Sequence, residues 1–387
     1  MTEKKVRILC LDGGGIRGVI PAMVMQYVEE KLIKLSNNEN ARISDYFDMI
    51  VGTSTGAILG CYYLMPNERK GEPNTPNAKN KAEKALELYT KKGGEIFNES
   101  KKKGWLGVRQ LLNATKFTPN NIEKIFKDEF GDTYLNDLLK TCIVTTYDLK
   151  SQKSIFFNSH ETGEKAKERK FLVRDVVRST SAAPTYFPPA LIKNYGSKEK
   201  DMVNIDGGVF ANNPTMCAYA EARTTNFEKL KIENPTAKEM LILSIGTGSQ
   251  KLDLGNYRKS GNWGVIGWAK SIPDIMMDGG LDTVNYQIDL IFKTLIEKNT
   301  ETKSNYKRVN VPKRLRGLDE KDDSKPLYES DMSDASPSNI SNLIKAGEEA
   351  IKEANMPEAN KHTLDEFIQE IYDISLLINK EESENLA

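Results

Sequence analysis

Ser54 lies in Gly52-Thr53-Ser54-Thr55-Gly56, a G-x-S-x-G pentapeptide that follows the apolar run Phe47–Val51 and opens the apolar stretch Thr55–Leu64. In that setting a serine occupies a sharp strand-to-helix turn. Small neighbours let the backbone bend, and the helix start turns its positive dipole end toward the hydroxyl. A second apolar run, Val6–Leu11, breaks into Asp12-Gly13-Gly14-Gly15-Ile16-Arg17-Gly18. Consecutive backbone N–H groups of this loop, at the entry to a helix, suit a developing oxyanion. A nucleophile beside an anion cradle is the equipment of acyl transfer.

A serine hydroxyl needs a base. The chain has two histidines, His160 in the polar stretch Asn158–Gly163 and His362 in the polar stretch Asn360–Thr363. The order Ser54…Asp206…His362 would match an α/β-hydrolase triad. A partly desolvated carboxylate is the other option. Three Asp-Gly-Gly triplets begin at Asp12, Asp206 and Asp278. Asp12 opens the glycine loop and is expected to brace it. Asp278 closes the apolar stretch Ile275–Met277 and is expected to end a helix. Asp206 ends the run Met202–Ile205, and its two following glycines let the backbone approach closely. On the residues alone, an Asp206 base and a His362 triad both stand. Arg17 either supports charge near the oxyanion or a lipid phosphate, or braces the loop through a salt bridge to Asp12. The same loop could serve a non-catalytic phosphate- or lipid-binding module. Against this, no Lys-Ser/Thr follows it as in a P-loop. Its glycines do satisfy G-x-G-x-x-G, but no acidic residue ends a strand ~20 residues on; Glu39 falls in a polar stretch.

These groups need a scaffold. Val6–Leu11 reads as a buried strand, and Ile20, Met23, Val24, Tyr27, Val28, Leu32 and Leu35 recur at helical spacing after it. Phe47–Val51 and Thr55–Leu64 repeat the strand–loop–helix order, which predicts a βαβ sheet with right-handed crossovers. Further strands are expected at Lys140–Leu149, Ser154–Asn158, Met202–Ile205 and Met240–Ile245. Further helices are expected at Lys81–Lys92, Asn120–Phe130, Val173–Ser181, Pro214–Arg223, Asn339–Ala354 and Leu364–Asn379. Pro66–Asn80 and Lys313–Ser338 read as loops, and Glu381–Ala387 as a frayed tail.

The 387 residues carry 55 Lys plus Arg against 55 Asp plus Glu, a balance that argues against general nucleic-acid binding. No run approaches the ~20 apolar residues of a membrane span. No apolar leader precedes the first strand, so a cytoplasmic location with peripheral membrane contact is expected. Cys10, Cys61, Cys142 and Cys217 lack metal-type spacing and read as buried free thiols. Asn262–Met277, with Trp263 and Trp268, suits either core packing or an interfacial lip. Lys101–Lys103 with Trp105 could touch anionic headgroups or simply face water.

Four segments, Asp12–Gly18, Gly52–Gly56, Ser179–Phe187 and Asp206–Pro214, occur in an order that resembles the patatin-like phospholipases. The resemblance extends through Leu243–Gly248 and Trp263–Tyr286, roughly residues 5–350. It implies a three-layer α/β/α fold with a central mostly parallel sheet. It implies a Ser54–Asp206 dyad without histidine, an oxyanion hole from Gly13, Gly14 and Gly15, and no metal or cofactor. The implied activity is lipid acyl hydrolysis of the phospholipase A, lysophospholipase or galactolipase type, through an acyl-enzyme. The implied partners are a phospholipid or galactolipid substrate and, transiently, a membrane surface. Residues 1–354 would form the hydrolase domain and 355–387 a C-terminal helix and tail.

Overall fold

The computed structural model describes residues 3–67, 78–97, 115–197, 200–248, 265–296, 303–311, 328–329 and 331–386. Lys101–Lys103, Trp105, Trp263 and most of Pro66–Asn80 and Lys313–Ser338 lie outside them, as does the side chain of Trp268.

Eight strands form the central sheet: β1 (Val6–Leu11), β2 (Met49–Gly52), β3 (Thr141–Asp148), β4 (Lys153–Asn158), β5 (Ala190–Ile192), β6 (Met202–Asp206), β7 (Met240–Ile245) and β8 (Tyr306–Val309). The order is β8-β7-β1-β2-β3-β6-β5, with β4 also paired to β3. Strands β8, β7, β1, β2 and β3 run parallel; β4 and β6 run antiparallel to β3, and β5 antiparallel to β6. Every residue of β1, β2 and β7 is buried, as strands covered by helices on both faces must be. The fold is the expected α/β architecture with a mostly parallel sheet.

Helices α1 (Val19–Ser36), α2 (Thr55–Leu64), α3 (Ala82–Ile96), α4 (Asn120–Phe130), α5 (Val173–Thr180), α6 (Thr215–Ala222), α7 (Val265–Lys293), α8 (Pro337–Ala354) and α9 (Leu364–Leu386) cover the sheet. All ten residues of α2 are buried, which explains its lack of a polar face. Ser336 caps α8, accepting the Asn339 N–H at 3.3 Å, with Pro337 in the first turn. Helix α9 starts on a reciprocal Thr363–Glu366 capping box and buries Leu364, Phe367, Ile368, Ile371 and Ile374 completely. Each such side chain contributes about 1.5–3 kcal/mol of apolar burial.

Two expectations are corrected here. Helix α9 does not fray at Glu381 but continues to Leu386; Lys4 pairs with Glu381 and ties this end to the start of the chain. Asp278 does not end a helix, because α7 runs on through Gly279 and Gly280 to Lys293. Leu281, Ile288 and Phe292 keep burying one face beyond the glycines. That packing outweighs the roughly 1 kcal/mol each glycine costs a helix.

The arrangement that matters most is at β3. A strand has two edges. Strand β4 occupies one of them from Ile143 to Asp148. Strands β2, paired to Thr141–Val144, and β6, paired to Thr146–Asp148, therefore share the other edge. They point at each other along it, and their C-terminal ends, Gly52 and Asp206, meet on either side of Thr145.

Candidate active site

The turn after β2 places Ser54 at φ 51° and ψ −121°, a backbone conformation L-residues avoid. The bend presses the start of α2 onto β1: a Cβ on Gly56 would lie 2.2 Å from the Leu11 carbonyl oxygen. Neighbouring side chains hold the bend. The Thr180 hydroxyl, at the end of α5, accepts the Ser54 N–H at 2.8 Å. The Thr53 hydroxyl donates to the Ala211 carbonyl at 2.6 Å, so Thr145 is the donor in its 2.7 Å bond to Thr53. Ser54 itself is 9% exposed.

Asp206 enters from the opposing strand end. Its N–H donates to the Ala182 carbonyl at 3.0 Å, and the Gly208 N–H donates to its Oδ1 at 2.7 Å. The chain turns hard against β3: a Cβ on Gly207 would lie 2.2 Å from the Thr145 hydroxyl oxygen. Burial pushes the Asp206 carboxyl up to about 6, opposed by the Ser54 hydroxyl and the Gly208 N–H. The serine and this carboxylate, 152 positions apart in SEQ numbering (206 less 54), are thus side-chain neighbours.

The glycine loop lies alongside. The Asp12 N–H donates to Ile245 at 3.1 Å, the Gly13 N–H to Asn212 at 3.0 Å and the Ile16 N–H to Met332 at 2.8 Å. The Gly14 and Gly15 N–H groups between them find no acceptor among the described residues. A Cβ on Gly13 would stand 3.3 Å from the Ser54 Cβ, which puts the loop against the serine. The Thr247 hydroxyl fixes the Gly13 carbonyl at 2.7 Å.

Asp12 does brace the loop, but not through Arg17. Its partner is Arg308 of β8, with contacts of 3.0 and 2.5 Å, and Arg308 also reaches the Ser244 hydroxyl at 2.7 Å. Burial raises the Asp12 carboxyl and the Arg308 guanidinium opposes that rise. Arg17 is buried and turns its Nε toward the Gly14 carbonyl at 3.4 Å.

The other titratable candidates lie elsewhere. His160 shares a 2.8 Å bond with the Ser159 hydroxyl, whose N–H donates to Cys142 near the start of β3. His362 sits 3.2 Å from Glu370 of α9, with its ring edge-on to Phe367. Neither histidine is among the groups that act on Asp206. Asp278 lies within α7. Cys10, Cys61 and Cys142 are buried free thiols and Cys217 is half-buried. Among the described residues no cluster of three His, Cys, Asp or Glu could hold a metal.

Four contributors escaped the sequence reading. Thr180 and Asn212 stand inside motifs already singled out, where nothing separated them from their neighbours. Thr247 follows β7 in a glycine-flanked turn. Arg308 sits in a polar segment, and only the pairing of β8 to β7 brings it to Asp12.

Known proteins resemble this chain over most of its length. The family model "Patatin-like phospholipase" matches residues 9–219. "Patatin-like protein 2" of Oryza sativa subsp. indica is 28% identical over 364 residues, covering 89% of this chain and 83% of that protein. "Patatin-like protein 1" of Arabidopsis thaliana is 31% identical over 363 residues, covering 89% and 81%. "Probable inactive patatin-3-Kuras 1" of Solanum tuberosum is 29% identical over 365 residues, covering 92% and 89%.

Proposed function

Because this chain belongs to the patatin-like phospholipase family, we propose that it is an active lipid acyl hydrolase working through a Ser54–Asp206 dyad. Membership alone does not carry activity, since one relative is named as probably inactive. The supporting observation is the meeting of two strand ends at Thr145, which sets a serine on a strained turn beside a buried carboxylate.

The chemistry follows from those positions. Asp206 accepts the Ser54 proton as Oγ attacks the ester carbonyl carbon. Negative charge develops on the carbonyl oxygen, and the Gly14 and Gly15 N–H groups are the donors left to receive it. Gly13 contributes by position, its own N–H being committed to Asn212. Asp206 then returns the proton to the departing alcohol, which leaves an acyl-enzyme on Ser54. Water attacks that ester and Asp206 handles the second proton in the same way. Arg17 holds the loop by its Gly14 carbonyl, and no step is routed through a metal or cofactor.

An ester of a long acyl chain suits the surroundings. Ile272, Met276, Tyr286 and Leu290 expose apolar surface along α7, and Val209 does so beside Asp206. Met277 Cε lies 3.7 Å from the position a Gly208 Cβ would take, which sets α7 against the turn that follows Asp206. Transient seating of this face on a lipid surface would bring substrate to Ser54. No described helix is long and apolar enough to cross a membrane. The chemistry lies within residues 1–354, and the terminal helix braces α1.

A fluorophosphonate probe tests the reading. The wild-type protein should label stoichiometrically and hydrolyse phospholipid, and Ser54→Ala should do neither. A wild-type protein that does not label would remove the nucleophile.

A further inference from the structure

Asn212 presents a buried carboxamide oxygen with no hydrogen-bond partner among the described residues. Its backbone carbonyl accepts the Gly13 N–H, so the residue is fixed to the glycine loop independently of its side chain. The side-chain oxygen lies 2.4 Å from the point a Gly13 Cβ would occupy, and Ser54 Cβ lies 3.3 Å from that same point. On its other side the oxygen is 3.3 Å from the Gly208 Cβ position, where Asp206 Oδ1 stands at 3.1 Å. Asn212 Oδ1 therefore lies beside both the serine and the carboxylate, facing the same glycine surface as Asp206.

A buried acceptor left without a donor costs about 1–3 kcal/mol, so a reason for keeping one in a catalytic site is a donor that arrives during the reaction. Acylation supplies no such donor: the Ser54 hydroxyl has one proton and Asp206 takes it. Deacylation does, because water brings two O–H groups into a site closed by the acyl chain. One faces Asp206. The other needs a second acceptor.

We propose that Asn212 is a catalytic residue of deacylation, its carboxamide oxygen and the Asp206 carboxylate together holding the attacking water. The proposal rests on the Ser54–Asp206 reading. The water donates one O–H to Asn212 Oδ1 and the other to Asp206. Its oxygen forms a bond to the acyl carbon as the proton on the Asp206 side passes to the carboxylate. The acyl carbon to Ser54 Oγ bond then breaks, Oγ recovers that proton from Asp206, and the carboxylic acid departs with the water's oxygen. Nothing is oxidised or reduced, and Asn212 returns unchanged.

Stopped-flow kinetics on a p-nitrophenyl acyl ester separates the two half-reactions, the burst of p-nitrophenolate reporting acylation and the steady state deacylation. In Asn212→Ala the burst rate and fluorophosphonate labelling should match wild type. Steady-state turnover should fall roughly tenfold, the rate equivalent of about one lost hydrogen bond. Intact mass should show the acyl adduct accumulating on Ser54. Asn212→Ser keeps a short side-chain oxygen and should recover part of the loss. It also decides the matter if melting curves show that Asn212→Ala does not fold. Equal slowing of burst and steady state, or no slowing of either, would overturn the assignment. So would a displaced acid limb of the pH profile with both phases slowed, which would make the amide a donor to Asp206. Failure of the underlying dyad looks different: the wild-type protein itself would neither label nor form an adduct.

Discussion

Asp206→Asn should make the protein more stable as it destroys activity, and the gain should grow with pH in a defined way. The folded-state carboxyl is raised from 3.8 to about 6 by burial. A group raised in the folded state favours folding while protonated and loses that contribution as pH climbs through its folded pKa. Below the unfolded value both states are protonated and the substitution changes little. Above about 6 the folded protein holds a desolvated charge that the unfolded chain keeps in water. At about 1.4 kcal/mol for each unit of difference, the penalty reaches about 3 kcal/mol. Asparagine removes it, since its oxygen can still accept the Gly208 N–H and its amide can face the Ser54 hydroxyl. Urea unfolding of both proteins should give a difference of about 1 kcal/mol at pH 4.5, rising to about 3 kcal/mol by pH 7.5. A difference that does not change with pH, or an Asn variant less stable than wild type at pH 7.5, would refute the assignment of a raised carboxyl at this site.

The same titration should appear in catalysis: kcat/KM should rise with pH to a midpoint near 6 and stay level above it, and a midpoint near 4 would dismiss the buried base. Both Ser54→Ala and Ser54→Gly should be inactive. The glycine variant should be more stable by about 1 kcal/mol in thermal or urea unfolding, because only glycine accepts φ 51° without strain. Arg308→Ala should destabilise the fold by roughly 3–5 kcal/mol by leaving the Asp12 charge buried and unpaired, with Asp12→Asn milder; the reverse ranking in urea melts would contradict the pairing. His362→Ala should leave ester turnover within about twofold of wild type, a change smaller than the loss of one hydrogen bond, and a large loss would restore the triad.

The two motifs and most of the elements were legible because each rests on a local signal. Glycines around a serine after an apolar run force a turn whatever else surrounds them. What was not legible came from distance along the chain. Three Asp-Gly-Gly triplets looked alike as sequence. One became a loop brace, one a buried carboxyl beside Ser54 and one a position within a helix, according to where β8, β3 and α7 placed them. Arg308 lay beyond reach for the same reason, since β8 has only four residues and its assignment comes from pairing with β7. Helix α7 defied its two glycines because apolar residues beyond them continue to find the core. The closeness of Asp206 to Ser54 could not be derived from residue types; it follows from counting along β3, where two strands meet end to end.

The glycine loop is translated before all of its partners, Asn212, Ile245, Arg308 and Met332. A nascent chain shorter than these has the serine turn without a fixed anion cradle. A complete cradle should therefore arrive in one step, once Met332 has emerged. Fragments released early would carry Ser54 and be harmless to the membranes around them.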